Sequence, residues 1–171
     1  CASPRRVGRA DPVGRRCLRL RPGAPDIARA PGGALYAVWG GNQLGSYNVY
    51  FTCSTNQGLN WTAPVALVSG AGDQTFPRVA TSLDAGASAT RLHLAYRDAG
   101  NLAVVRGSAD LATPCLVTVD SQTTFATTPA YFVRVDADAS GNTYLVYRDP
   151  STGAKAVHMN DIPFYKHQMR I

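Results

Sequence analysis

A pattern of four short runs recurs three times along the chain and limits its fold more than any other feature. Pro25-Asp-Ile27-Ala lines up with Pro77-Arg-Val79-Ala and with Val133-Arg-Val135-Asp. A turn follows each: Pro31-Gly-Gly33, Asp84-Ala-Gly86, then Asp138-Ala-Ser-Gly141-Asn142. Second runs are Leu35-Tyr-Ala-Val-Trp39, Leu92-His-Leu-Ala-Tyr96 and Tyr144-Leu-Val-Tyr147. Third runs are Val49-Tyr-Phe-Thr-Cys53, Ala103-Val-Val-Arg-Gly107 and Ala156-Val-His-Met-Asn160. Fourth runs stand at 64–68 and 115–119, with none clear after 160. Apolar, β-branched runs this short, bounded by turn residues, are strands. Ile27 to Val79 is 52 residues and Val79 to Val135 is 56, so the period is that of a four-stranded unit of about fifty residues. The second runs are apolar at nearly every position, which predicts strands covered on both faces.

Composition agrees. The chain has no glutamate and only two lysines, Lys155 and Lys166, and is poor in the usual helix formers. An all-β protein is expected. The net charge of +6 sits entirely in the first 22 residues, where seven arginines face Asp11 alone. Residues 1–24 lack aromatic residues and periodicity, and read as a disordered basic Arg/Pro/Gly-rich head. A basic arm on an anionic surface is its functional reading. The absence of stacking aromatics and of any recognisable module argues against nucleic acid. The units are expected at about 25–75, 76–130 and 131–171, the last incomplete.

One turn is specialised. In Ser54-Thr-Asn56-Gln-Gly58-Leu-Asn-Trp61, Ser54 and Asn56 can bond the turn's own backbone. Gly58 can take a positive φ, and Trp61 can fold back over the turn. The spacing resembles the Asp-box, S-x-D-x-G-x-x-W, of sialidase-like β-propellers, with Asn56 in place of aspartate. The second unit keeps only Ser108-Ala-Asp110 of it. The resemblance implies a partial β-propeller of about three four-stranded antiparallel blades, with the box a structural hairpin on the outside, away from any ligand. Closed propellers need about four to eight blades, so three predict part of a longer chain whose remaining blades complete it. Closure by association is the alternative.

The same resemblance places ligands on the opposite rim, at the 2→3 loops and 4→1 connections. The residues available there are Tyr96-Arg97-Asp98, Tyr147-Arg148-Asp149, and the first-strand arginines Arg78 and Arg134. Arginine can hold a carboxylate in a two-bond fork. The plainer reading is that Arg97–Asp98 and Arg148–Asp149 pair to fix loops, and that Arg78 and Arg134 pair locally. No catalytic residue is assigned. Sialidases use a tyrosine nucleophile, which the resemblance pairs with a glutamate, and this chain has none. The family's Arg-Ile-Pro motif is absent too, with Phe76-Pro-Arg78 a loose echo.

Other motifs yield less. Asp136-Ala-Asp138-Ala-Ser140-Gly141 resembles half of a calcium loop, but Tyr147 would stand where a bidentate carboxylate is needed, and an ordinary hairpin turn explains it. His93, His158 and His167 have no metal spacing, and no metal or cofactor is expected. Cys53 and Cys115 are read as buried free thiols in strands, with a disulfide the alternative in an exported protein. Cys1 at the start raises a lipid-modified terminus as a further alternative. Asn60-Trp-Thr62 is a glycosylation sequon by pattern. No apolar run is long enough to span a membrane as a helix, and no signal peptide is visible.

The expected function is non-catalytic binding of a glycan or a cell-surface protein, outside the cell or in its envelope. A segment of an exo-sialidase-type glycoside hydrolase and a purely structural repeat array are the alternatives.

Overall fold

The computed structural model describes residues 23–125, 131–149, 153–159 and 167–170; most of the basic head lies outside them. Among the described residues the chain is all-β, in three antiparallel sheets of four strands. The first sheet holds β1 Gly23–Arg29, β2 Leu35–Leu44, β3 Ser46–Ser54 and β4 Val65–Val68. The second holds β5 Gln74–Asp84, β6 Ala89–Asp98, β7 Asn101–Asp110 and β8 Thr118–Phe125. The third holds β9 Tyr131–Ala137, β10 Thr143–Asp149, β11 Gly153–Met159 and β12 His167–Arg170. Each is a meander in which every strand pairs with its sequence neighbour. The third sheet thus has a fourth strand, β12, which the apolar pattern does not show.

The sheets stack face to face in chain order. The first strands meet, β1 against β5 and β5 against β9, and β2 and β3 also pack on β5. A core between the first and second sheets holds Tyr36, Val38, Val49, Phe51, Leu92, Leu94, Tyr96 and Val105. A smaller one between the second and third holds Ala95, Leu102, Val104, Val133, Leu145 and Tyr147.

The second strands record this stacking. In β6, residues 92–96 are buried without a break, as expected for a strand covered on both faces. In β2, from Leu35 to Gly40, buried and half-buried residues alternate, because among the described residues another sheet packs on only one face of this strand. In β10 the alternation returns: Thr143, Leu145 and Tyr147 are buried while Tyr144, Val146 and Arg148 are exposed. Among the second strands, continuous burial therefore holds for the middle sheet and not for the outer two, although β3 of the first sheet is buried from Asn48 to Ser54.

The cysteines depart from expectation. Cys53, in β3, is disulfide-bonded to Cys115, with Cα atoms 5.4 Å apart. Cys115 lies in the turn before β8 and not in a strand. That turn crosses to the first sheet, where Tyr36 donates its hydroxyl to the Pro114 carbonyl at 2.6 Å. Face-to-face stacking brings together two thiols separated by 62 residues, a proximity with no local signature.

Candidate functional site

The Ser54 hairpin closes on itself. Ser54 Oγ accepts from the Gly58 amide at 2.9 Å and donates to Asn56 Oδ1 at 3.0 Å. Asn56 Oδ1 also accepts from the Asn60 amide at 2.9 Å. The carboxamide oxygen does here what a carboxylate oxygen could do. Gly58 has φ +87, in the left-handed region that glycine enters freely. Trp61 Nε1 donates to the Gly58 carbonyl at 3.0 Å, and the ring lies over the glycine yet stays 41% exposed. It caps the turn without being buried. In the second sheet the remnant of the motif does something else: Ser108 Oγ donates across the strands to Asp120 Oδ1.

At the opposite end of the strands the chain forms a cleft of about 410 Å³ lined by Asp73, Thr75, Phe76, Arg97, Ala99 and Gly100. Two elements build it. β5 enters through Gln74 and Thr75, paired with Asp98 and Arg97, then bulges before Arg78. The β6–β7 turn supplies Ala99 and Gly100, both at positive φ. Phe76, on the bulge, has φ 55 and is 47% exposed. A bulky residue in that region is strained by about 1–3 kcal/mol, and here its ring faces solvent. Asp73 ties the cleft to the first sheet by accepting from the Tyr47 amide at 3.0 Å, and its carbonyl accepts from the Ala99 amide. Beneath, buried Gln74 donates to the Gly72 carbonyl at 2.7 Å and to Asp98 Oδ1 at 3.1 Å. Its Oε1 is buried with no hydrogen-bond partner.

The rim residues expected from sequence do not all converge. Arg97 lines the cleft, and Asp98 supports it through Gln74. Arg78 Nη1 donates to the Ala24 and Pro77 carbonyls at 3.1 and 2.8 Å. Arg134 Nη1 donates to the Val133 carbonyl and is exposed. Both first-strand arginines therefore bond the carbonyl just before them, which favours the local reading. Arg148 is exposed on the face of the third sheet that also carries Arg134. The backbone of Asp149 closes β10 opposite Gly153. Phe76, Asp73 and Gln74 are the additions that the structure makes. The one sequence signal for them is an aromatic residue immediately before a first-strand proline, at the rim end of a strand.

Two other groups are accounted for structurally. Asp138 accepts from the Ser140 and Asn142 amides, from Asn142 Nδ2 and from the Tyr144 hydroxyl. These bonds, led by that from the Asn142 side chain, hold its carboxyl down at about 2. The calcium-like sequence is thus a hairpin turn in which this carboxylate is committed to its neighbours. His93 is 1% exposed, with Nε2 2.9 Å from Ser82 Oγ and Nδ1 2.6 Å from Thr143 Oγ1. Burial, reinforced by Arg106 and Arg91 and opposed by Asp138, pushes its pKa down to about 4. It is a neutral link between the second and third sheets.

Among the described residues no group of histidine, cysteine and carboxylate side chains could hold a metal ion, and no helix is long and apolar enough to cross a membrane. A scan against protein-family models finds no match to this chain, and a search of curated proteins finds none.

Proposed function

We propose that this chain is a sialidase-like Asp-box propeller module whose three sheets are blades, and that it binds a glycan without hydrolysing it. The observation that carries the reading is Phe76, held solvent-facing at a strained φ in a cleft with Arg97, Asp73 and Thr75. An exposed aromatic face offers an apolar surface to the C–H face of a sugar ring, and the flanking charged and hydroxyl groups can hydrogen-bond its hydroxyls. The cleft is of the size small ligands use. Strain persists where the surroundings over-determine it, and it clusters at ligand sites. The absence of glutamate supports binding over turnover by this chain. A disulfide between the first two sheets supports an oxidising, extracellular or envelope setting.

Glycan-array screening followed by calorimetry tests the reading. The wild-type chain should bind at least one glycan class, and Phe76→Ala should weaken that binding about tenfold, equivalent to losing one aromatic contact. Hydrolysis of a fluorogenic sialoside by the chain would replace this reading with the glycosidase one. Binding that ignores Phe76→Ala would remove the cleft from it.

A further inference from the structure

The cleft at Phe76 has a charge balance as well as an aromatic face. One carboxylate and one guanidinium line it, those of Asp73 and Arg97. A second carboxylate stands directly behind its wall: a Cβ added to Gly72 would meet the Ala99 Cβ at 3.0 Å and Asp98 Oδ1 at 3.4 Å. Arg78 and Arg134 do not line the cleft, and each has Nη1 on a carbonyl. Among the described residues, two negative charges thus stand here against one positive charge. Asp73 is also held in place. Its Oδ1 accepts from the Tyr47 amide, and its carbonyl accepts from the Ala99 amide. The side chain is exposed all the same. A carboxylate offers about four acceptor positions and no donor, and the Tyr47 amide uses one of them. The Arg97 guanidinium lies along the β6–β7 turn, with Nη2 3.7 Å from where a Cβ on Gly100 would stand.

We infer that the sugar this cleft takes is a neutral one, a hexose or N-acetylhexosamine, and not a carboxylated sugar. This rests on the glycan reading above and names the class of glycan. A sugar ring stacked on Phe76 turns its hydroxyls outward around its edge. There the Asp73 carboxylate accepts from them, Arg97 donates to them, and the Thr75 hydroxyl can do either. A uronic or sialic acid brings a carboxylate, which has no proton to give. Asp73 then meets a like charge where it needs a donor, and Asp98 behind the wall adds to the repulsion. Arg97 alone would favour the acid, against two carboxylates. Discrimination is thus built as repulsion and not as a poor fit. It departs from the carboxylate-holding rim that the arginines of the sequence suggest, because two of those arginines are turned to the backbone.

Calorimetry on the 171-residue chain, with sugar pairs that differ in one group, tests this. The pairs are methyl galactoside against methyl galacturonate and methyl glucoside against methyl glucuronate. A glycan array carrying each core with and without a terminal sialic acid extends the comparison. The neutral member should bind about tenfold more tightly or better. Asp73→Asn keeps an oxygen for the Tyr47 amide, so circular dichroism should be unchanged. It should weaken the neutral sugar about fivefold, since a charged acceptor becomes a neutral one. It should also bring the carboxylated sugar to within about threefold of the neutral one. A wild-type chain that binds the carboxylated members as tightly or more tightly overturns this inference and leaves glycan binding standing. So does an Asp73→Asn variant whose preference is unchanged. A chain that binds no member of either kind, on the array or in solution, takes down the glycan reading and this inference with it.

Discussion

The joint between the first and second sheets and the joint between the second and third join similar surfaces by different chemistry. The first is large, apolar and covalent. Tyr36 and Phe51, neighbours within the first sheet that meet edge to face with centroids 5.4 Å apart, lie in the apolar cluster between the sheets, the Tyr36 hydroxyl reaches Pro114, and Cys53–Cys115 locks the pair. The second has a smaller apolar cluster and, near the turn end of the strands, a buried imidazole held between Ser82 and Thr143. An apolar, cross-linked joint is indifferent to pH and sensitive to reduction. A joint organised on a neutral histidine reverses both dependences.

Three measurements would break or sharpen that contrast. The largest effect belongs to the first joint. Replacing Cys53 and Cys115 together by serine should lower stability in chemical denaturation by about 4 kcal/mol, the loop-closure contribution for cysteines so far apart in sequence; a loss below about 1 kcal/mol would mean that the stacking alone holds the sheets.

Acid should act on the second joint. Unfolded, His93 takes up a proton near its ordinary pKa of about 6.5. Folded, it does so only near about 4. The unfolded state therefore binds more protons between these values, and stability falls as pH is lowered through that window, by about 3 kcal/mol in all. His93→Gln should flatten the slope, and an unchanged slope in that variant would reassign the acid sensitivity to other groups.

The smallest effect is local. Ser54→Ala removes an acceptor from the Gly58 amide and should cost about 1 kcal/mol while leaving the pH slope and the effect of reduction as they were. A change in either would show that the hairpin contributes to a joint.

What could be read in the sequence divides along similar lines. The Ser54 hairpin was legible because all its partners lie within nine residues of one another, and side-chain bonds of that range leave a fixed spacing. The three-fold repeat was legible because burial selects apolar residues at regular positions, and the first three runs of each unit fall in strands, whereas the fourth strand of the second sheet is Thr118–Phe125 and not 115–119. Strand ends do not follow the pattern: β2 runs on to Leu44 and β6 to Asp98, since backbone pairing continues where side chains have turned polar. β12 was hidden for the same reason; it is defined by its pairing with β11 and carries no apolar alternation. Cys53–Cys115 depends on stacking between units, and Phe76 depends on a bulge. Neither leaves a periodic trace. Of the rim arginines, Arg97 lines the cleft, while Arg78 and Arg134 bond nearby carbonyls, in keeping with the plainer reading of the sequence.

The cross-link between β3 and the turn before β8 has a topological consequence. It closes the segment from Cys53 to Cys115 into a covalent circle containing β4, β5, β6 and β7. The exposed connection at 69–73, where β4 passes to β5, lies on that circle. A protease that cuts there opens a ring instead of severing a chain, so both pieces keep their strands and migrate as one molecule until the thiols are reduced.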